Sequence, residues 1–212
     1  MSNASVQDKD SQANTTPDAA LQRLLDGNQR FLNGQQLERD LSQQVAATST
    51  GQFPFAVVLS CIDSRVTPEL LFDQGVGDIF TARIAGNFVN DDLLGSMEFG
   101  CKVAGSKLIL VLGHTGCGAV RGACDSVELG NLTGMLKNIQ PAVSAAGEQF
   151  SEADRGSHNP DFLTAVTRTN VQLTTRAITE RSEVLRAMVE GGEIRIVGAM
   201  YDIKTGQVSL LD

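Results

Sequence analysis

Two short segments of this chain carry the residue types for metal chemistry. Cys61-Ile62-Asp63-Ser64-Arg65 supplies a thiol, a carboxylate and a guanidinium, and His114-Thr115-Gly116-Cys117 adds an imidazole and a second thiol. Two thiolates and a neutral imidazole suit zinc, and with the dication they make a neutral complex. Three protein ligands leave a tetrahedral ion one position short, which is the pattern of a catalytic rather than a structural zinc. Water in that position has its pKa lowered to about 7, so hydroxide is available at neutral pH. Asp63 then has two roles open to it: it accepts a hydrogen bond from that water, or it takes the fourth position itself and shuts the site. Arg65 bears on the choice, because guanidinium and carboxylate pair through two parallel hydrogen bonds.

Each segment alone has a bland explanation. A Cys-x-Asp after a strand also describes a capping Asp beside a buried thiol, and a His beside a Gly turn is more often simply hydrogen-bonded. Their placement argues for a joint role. Short apolar runs over 55–60, 79–84, 107–112 and 193–200 read as buried parallel strands, with helix-like stretches around 67–73, 92–104, 131–146 and 160–189 between them. Pro17-Asp18 opens an amphipathic helix that Gly34 ends, and Lys204-Thr205-Gly206 turns the last strand back into an edge hairpin over 207–211. The expected fold is α/β: a central, mostly parallel sheet of four strands plus an antiparallel edge strand, flanked by helices, with an N-terminal helical arm. Cys61 then lies just past the first strand, His114 just past the third, and Cys117 at a helix start. Ligands in open α/β sheets gather at those carboxyl ends.

Residues 1–16 read as a disordered or loosely docked arm, and 17–212 as one α/β domain. A net charge of −8 builds no basic face for nucleic acid, and no apolar run approaches the roughly 20 residues needed to cross a bilayer. Cys101 and Cys124 read as small buried hydrophobes, and His158 as a loop residue. The stretch from Ser5 to Thr16 has neither the apolar core nor the basic start of a signal peptide. Ser2-Asn3-Ala4 resembles a cloning scar, which leaves the compartment open between the cytoplasm and, if a natural leader was replaced, the periplasm.

Ser60-Cys61-Ile62-Asp63-Ser64-Arg65-Val66 with Gly113-His114-Thr115-Gly116-Cys117-Gly118 resembles the β-class carbonic anhydrases, and the similarity runs from about Ala19 to the C-terminus. The resemblance implies one Zn2+ per chain on Cys61, His114 and Cys117, with Asp63 and Arg65 as the catalytic pair. The implied reaction is the reversible hydration of CO2 to bicarbonate by zinc-bound hydroxide, in a homodimer or a dimer of dimers. It further implies that Gln52 reaches substrate across the dimer interface, that Phe80 forms an apolar wall and that the Gly118 N–H faces a substrate oxygen. Phe99 replaces a tyrosine of plant-like members and Ala85 a larger aliphatic residue. The Trp–Arg–Tyr anion pocket of the bicarbonate-inhibited subgroup is not expected, because the chain has no tryptophan. Two alternatives share the metal shell: a related carbon disulfide or carbonyl sulfide hydrolase, and a non-catalytic zinc protein closed by Asp63.

Overall fold

In the computed structural model, residues 6–211 are described. Five strands, β1 (Ala56–Ser60), β2 (Ile79–Arg83), β3 (Leu108–His114), β4 (Arg195–Tyr201) and β5 (Val208–Leu210), lie in the order β2-β1-β3-β4-β5. The first four are parallel and β5 runs antiparallel to β4, the α/β architecture expected from the apolar runs. Every residue of β1 and β3 is buried, because helices cover both faces; this is why these strands read as continuous apolar runs and not as alternating ones. Val58, Leu108 and Leu110 pack on one face with Leu24 and Phe72. Val57, Leu59 and Ile109 pack on the other with Met97, Val171 and Ile178. From β1 the chain steps to β2 on one side, and β3 lies on the other. The β1/β3 boundary is therefore a topological switch point, where a crevice opens at the carboxyl ends.

The helices show where sequence patterns were too coarse. Helix α1 (Lys9–Ala13) is capped by Asp8, and the buried side chain of Gln12 donates to the carbonyls of Pro54 (2.8 Å) and Ala104 (2.7 Å). Within the arm expected to be disordered or loosely docked, α1 is held to the domain through Gln12, while residues 1–5 lie outside the described residues. Helix α2 (Pro17–Leu32) starts on a Thr16 cap and ends two residues before Gly34, whose φ is 64°. A helix without a sequence forecast, α3 (Leu41–Thr48), begins on Asp40. Next come α4 (Pro68–Leu71) and α5 (Asp91–Glu98), the latter continued by a π-helical turn over Phe99–Val103. After β3 follow α6 (Gly118–Cys124), then α7 (Gly130–Leu136) and α8 (Gln140–Gly147), which split the expected 131–146 helix ahead of Pro141. The expected 160–189 helix is likewise two, α9 (Pro160–Arg181) and α10 (Glu183–Glu190). Ser182 caps α10 through the Leu185 N–H while its hydroxyl donates to Glu98 at 2.6 Å. No described helix is long and apolar enough to cross a membrane.

Candidate metal centre

Because β1 stops at Ser60, Cys61 is the first residue beyond the sheet. Its loop is held from the neighbouring strand: Arg83, in register with Ser60, donates from Nε to the Cys61 carbonyl (3.0 Å) and from Nη2 to the Asp63 carbonyl (2.8 Å). β3 runs two residues further than its apolar run suggested, so His114 is its last residue and not the first one past it. The following loop is pinned to the β4–β5 turn. The Thr115 N–H donates to Tyr201 (3.0 Å), and the Thr115 hydroxyl oxygen accepts from the Ile203 N–H (3.1 Å). Cys117 is then the N-cap residue of α6.

The Cys61 and Cys117 sulfurs and a His114 ring nitrogen all lie within 4.8 Å of one another, and all three residues are buried. The two sulfurs are 3.9 Å apart. Sulfurs about 2.3 Å from a tetrahedral ion stand about 3.8 Å from each other, so the spacing suits one. His114 Nδ1 is 3.0 Å from the Thr115 carbonyl, which places the ring proton there and leaves a lone pair on Nε2. Nε2 is buried without a hydrogen-bond partner, and an orphaned buried acceptor costs about 1–3 kcal/mol. Two sulfurs and a bare nitrogen facing inward are a donor set that a cation completes. The hydrogen bond from the Cys117 thiol pulls Cys61 down to about 4, aided by the Gly86 N–H at 3.4 Å, while the same bond and burial push Cys117 up. Gly86 has φ 81°, and a Cβ there would stand 2.4 Å from Ile139 Cδ1, so this backbone donor needs glycine. Its carbonyl accepts from the buried Asn170 Nδ2 at 2.8 Å.

Asp63 is not part of the three-residue cluster: no carboxylate oxygen of it lies within 4.8 Å of all three ligand atoms. Arg65 holds it instead, with Nε on Oδ1 (2.9 Å), Nη2 on Oδ2 (2.7 Å) and the backbone N–H on Oδ1 (3.0 Å). That guanidinium keeps the carboxyl well below the usual carboxylate range. Gly118 directly follows Cys117 at the start of α6. Gln52 and Phe80 are not brought to the cluster within one chain. Gln52 is exposed ahead of β1, and five residues of strand put roughly 16 Å between that end and Cys61. Phe80 pairs with Val57 in register and meets Phe99 edge-on, ring centres 6.1 Å apart. Cys101 is buried, and burial pushes its thiol up to about 12. Cys124 is only half-buried and is pushed up to about 11. His158 is exposed in a loop. Arg83, Gly86, Thr115 and Asn170 were not singled out from sequence; only strand register and loop packing reveal what they hold.

Residues 56–208 match the family model described as carbonic anhydrase. Carbonic anhydrase 2 of Mycobacterium tuberculosis is 35% identical over 207 residues, covering 94% of this chain and 95% of that protein. A carbonic anhydrase of Mycolicibacterium smegmatis is 36% identical over 199 residues, covering 93% and 94%. Among solved structures, the β-carbonic anhydrase CcaA superposes with a TM-score of 0.71 at 26% identity, covering 91% of this chain and 95% of that one. CafA of Aspergillus fumigatus, also a β-carbonic anhydrase, gives 0.69 at 27% identity, covering 81% of each.

Proposed function

Because the chain belongs to the β class of the carbonic anhydrase family, we propose that it is a zinc enzyme interconverting CO2 and water with bicarbonate and a proton. The observation that carries this reading is the convergence of Cys61, His114 and Cys117 around a partnerless His114 Nε2. These three residues would hold one zinc ion per chain. When bound, zinc supplies a Lewis acid that lowers the pKa of a water molecule to about 7.

The remaining work falls to the chain's own groups. Asp63, kept ionised by Arg65, accepts hydrogen bonds and cannot donate them. Its Oδ1 is filled by two N–H groups, whereas Oδ2 receives one and keeps a lone pair for an O–H of the reacting water. An acceptor fixed in this way orients the attacking oxygen and does not compete with it for the substrate carbon. Pairing with Arg65 in place of joining the cluster supports the open site over one closed by Asp63. The Gly118 N–H is the proposed donor to a substrate oxygen, where charge develops. Gln52 and Phe80 stand far from their own chain's cluster, so a substrate role for them requires a second subunit. This favours a homodimer, single or doubled, as the working unit. Stopped-flow CO2 hydration by the zinc-loaded protein tests the reading: turnover should rise as pH passes about 7. Full zinc loading without turnover at about pH 8.5 would make the cluster a structural site.

A further inference from the structure

A cleft of about 370 Å3 opens where the start of α9 meets α6 and the β4–β5 turn, a size within the range of small-molecule pockets. Val120, Leu163, Met200 and Ile203 give it apolar walls. Arg121 and Lys204 also line it, both exposed, and among the described residues neither forms an ion pair. Arg121 spends one N–H on the Ser157 carbonyl at 3.3 Å. The one carboxylate of the lining, Asp202, has Oδ1 occupied by the Lys204 backbone N–H (2.8 Å) and the Thr115 hydroxyl (3.4 Å). Among the lining residues, two cations against one anion leave a single positive charge beside an apolar surface, while Asp125, which accepts from the Ser157 N–H at 2.8 Å, stands behind Arg121. Thr115, Gly116 and Cys117 form part of the wall, so the cleft backs directly onto the strip of chain that carries two of the three metal-cluster residues.

We propose that this cleft binds a small organic monocarboxylate, its apolar body on Val120, Leu163, Met200 and Ile203 and its carboxylate on Arg121 and Lys204. The single excess charge suits a monoanion; a dianion would leave Asp202 facing uncompensated negative charge. The apolar walls select an acid with a hydrocarbon tail over an inorganic oxyanion. Binding in this cleft is read directly, without a measurement of CO2 hydration. Methyl NMR of the zinc-loaded full chain, titrated with pentanoate and with its neutral isostere pentanamide, tests it. Pentanoate should shift the methyl signals of Val120, Leu163, Met200 and Ile203 saturably, and pentanamide should bind about tenfold more weakly or worse. The double variant Arg121→Gln, Lys204→Gln, made at exposed positions, should weaken pentanoate by a similar factor. Equal affinity for acid and amide, undiminished binding in the double variant, or shifts confined to other methyls would overturn the proposal. Pentanoate drawn to the metal instead would show itself as the second of these outcomes.

Discussion

The two ends of the sheet each bury a polar cluster, and the two are satisfied in opposite ways. At the amino ends, ahead of β2, Asp73 receives Arg30 Nε at 2.6 Å and a second guanidinium from Arg39, while Asp78 faces Arg23 at 3.2 Å. Asp73 and Asp78 are buried, yet each meets opposite charge supplied by the chain itself. Each carboxylate there meets a guanidinium, although Arg39 Nε and Asp78 Oδ1 keep no hydrogen-bond partner, and the cluster ties α2 and the segment before α3 to the sheet. At the carboxyl ends, Cys61, His114 and Cys117 turn lone pairs toward one another, and among the described residues no side chain supplies the positive charge they lack. Burial and polarity are common to both ends. The balance of sign within the cluster is what separates a scaffold from a site.

The largest effect should come from breaking the metal end. Cys61→Ala is expected to lower zinc, measured by elemental analysis, from about one ion per chain to background and to abolish CO2 hydration. The fold should survive, because the core lies between the sheet and its helices. The mirror experiment is Asp73→Ala, which leaves the half-buried Arg30 and Arg39 without their carboxylate. Urea unfolding should show a loss of about 3–5 kcal/mol, with zinc content of the folded protein unchanged. If that variant lost its zinc instead, the two ends would not be independent. Asp63→Asn is expected to keep the metal and lower kcat/KM for CO2 hydration by about 10- to 100-fold, since it removes an orienting acceptor and no ligand. Equal loss of zinc would make Asp63 a ligand.

The smallest effect is a dependence on acid. Burial pushes the Asp73 carboxyl up, but the hydrogen bonds from Arg30 and Arg39 outweigh it and hold the group below its ordinary value. A carboxyl lowered in the folded state contributes stability that is complete above its unfolded pKa of about 3.9 and is lost as pH falls through the folded value. The stability of the wild-type protein should therefore decline below about pH 4 more steeply than that of Asp73→Asn. Parallel acid-unfolding curves would remove Asp73 from the account.

The strands were legible because a parallel sheet covered on both faces writes itself as unbroken apolar runs, and Val57, Val58, Leu59 or Leu108 to Leu112 have no other reading. The long helices were legible as regions but not as elements. The break at Ser182 depends on a hydroxyl that caps one helix and bonds Glu98 at a distance of 84 residues in sequence. Helix α1 escaped notice because Gln12 looks like any polar arm residue until its amide is seen against the Pro54 and Ala104 carbonyls. Arg83 is one arginine among many until register sets it beside Ser60.

What the sequence by itself determined is the chemistry on offer: two thiols, an imidazole, and a carboxylate two residues from its guanidinium, each placed near a strand end. Ligand identity is a property of side-chain type, and local spacing was enough to bring Arg65 onto Asp63. Tertiary structure alone decided that Cys61 and Cys117, 56 residues apart, stand 3.9 Å from each other and that His114 turns a bare nitrogen toward them. It also decided that Gln52 and Phe80 lie away from their own chain's cluster. Those facts follow from strand order and register, which arise from long-range packing that no local pattern encodes.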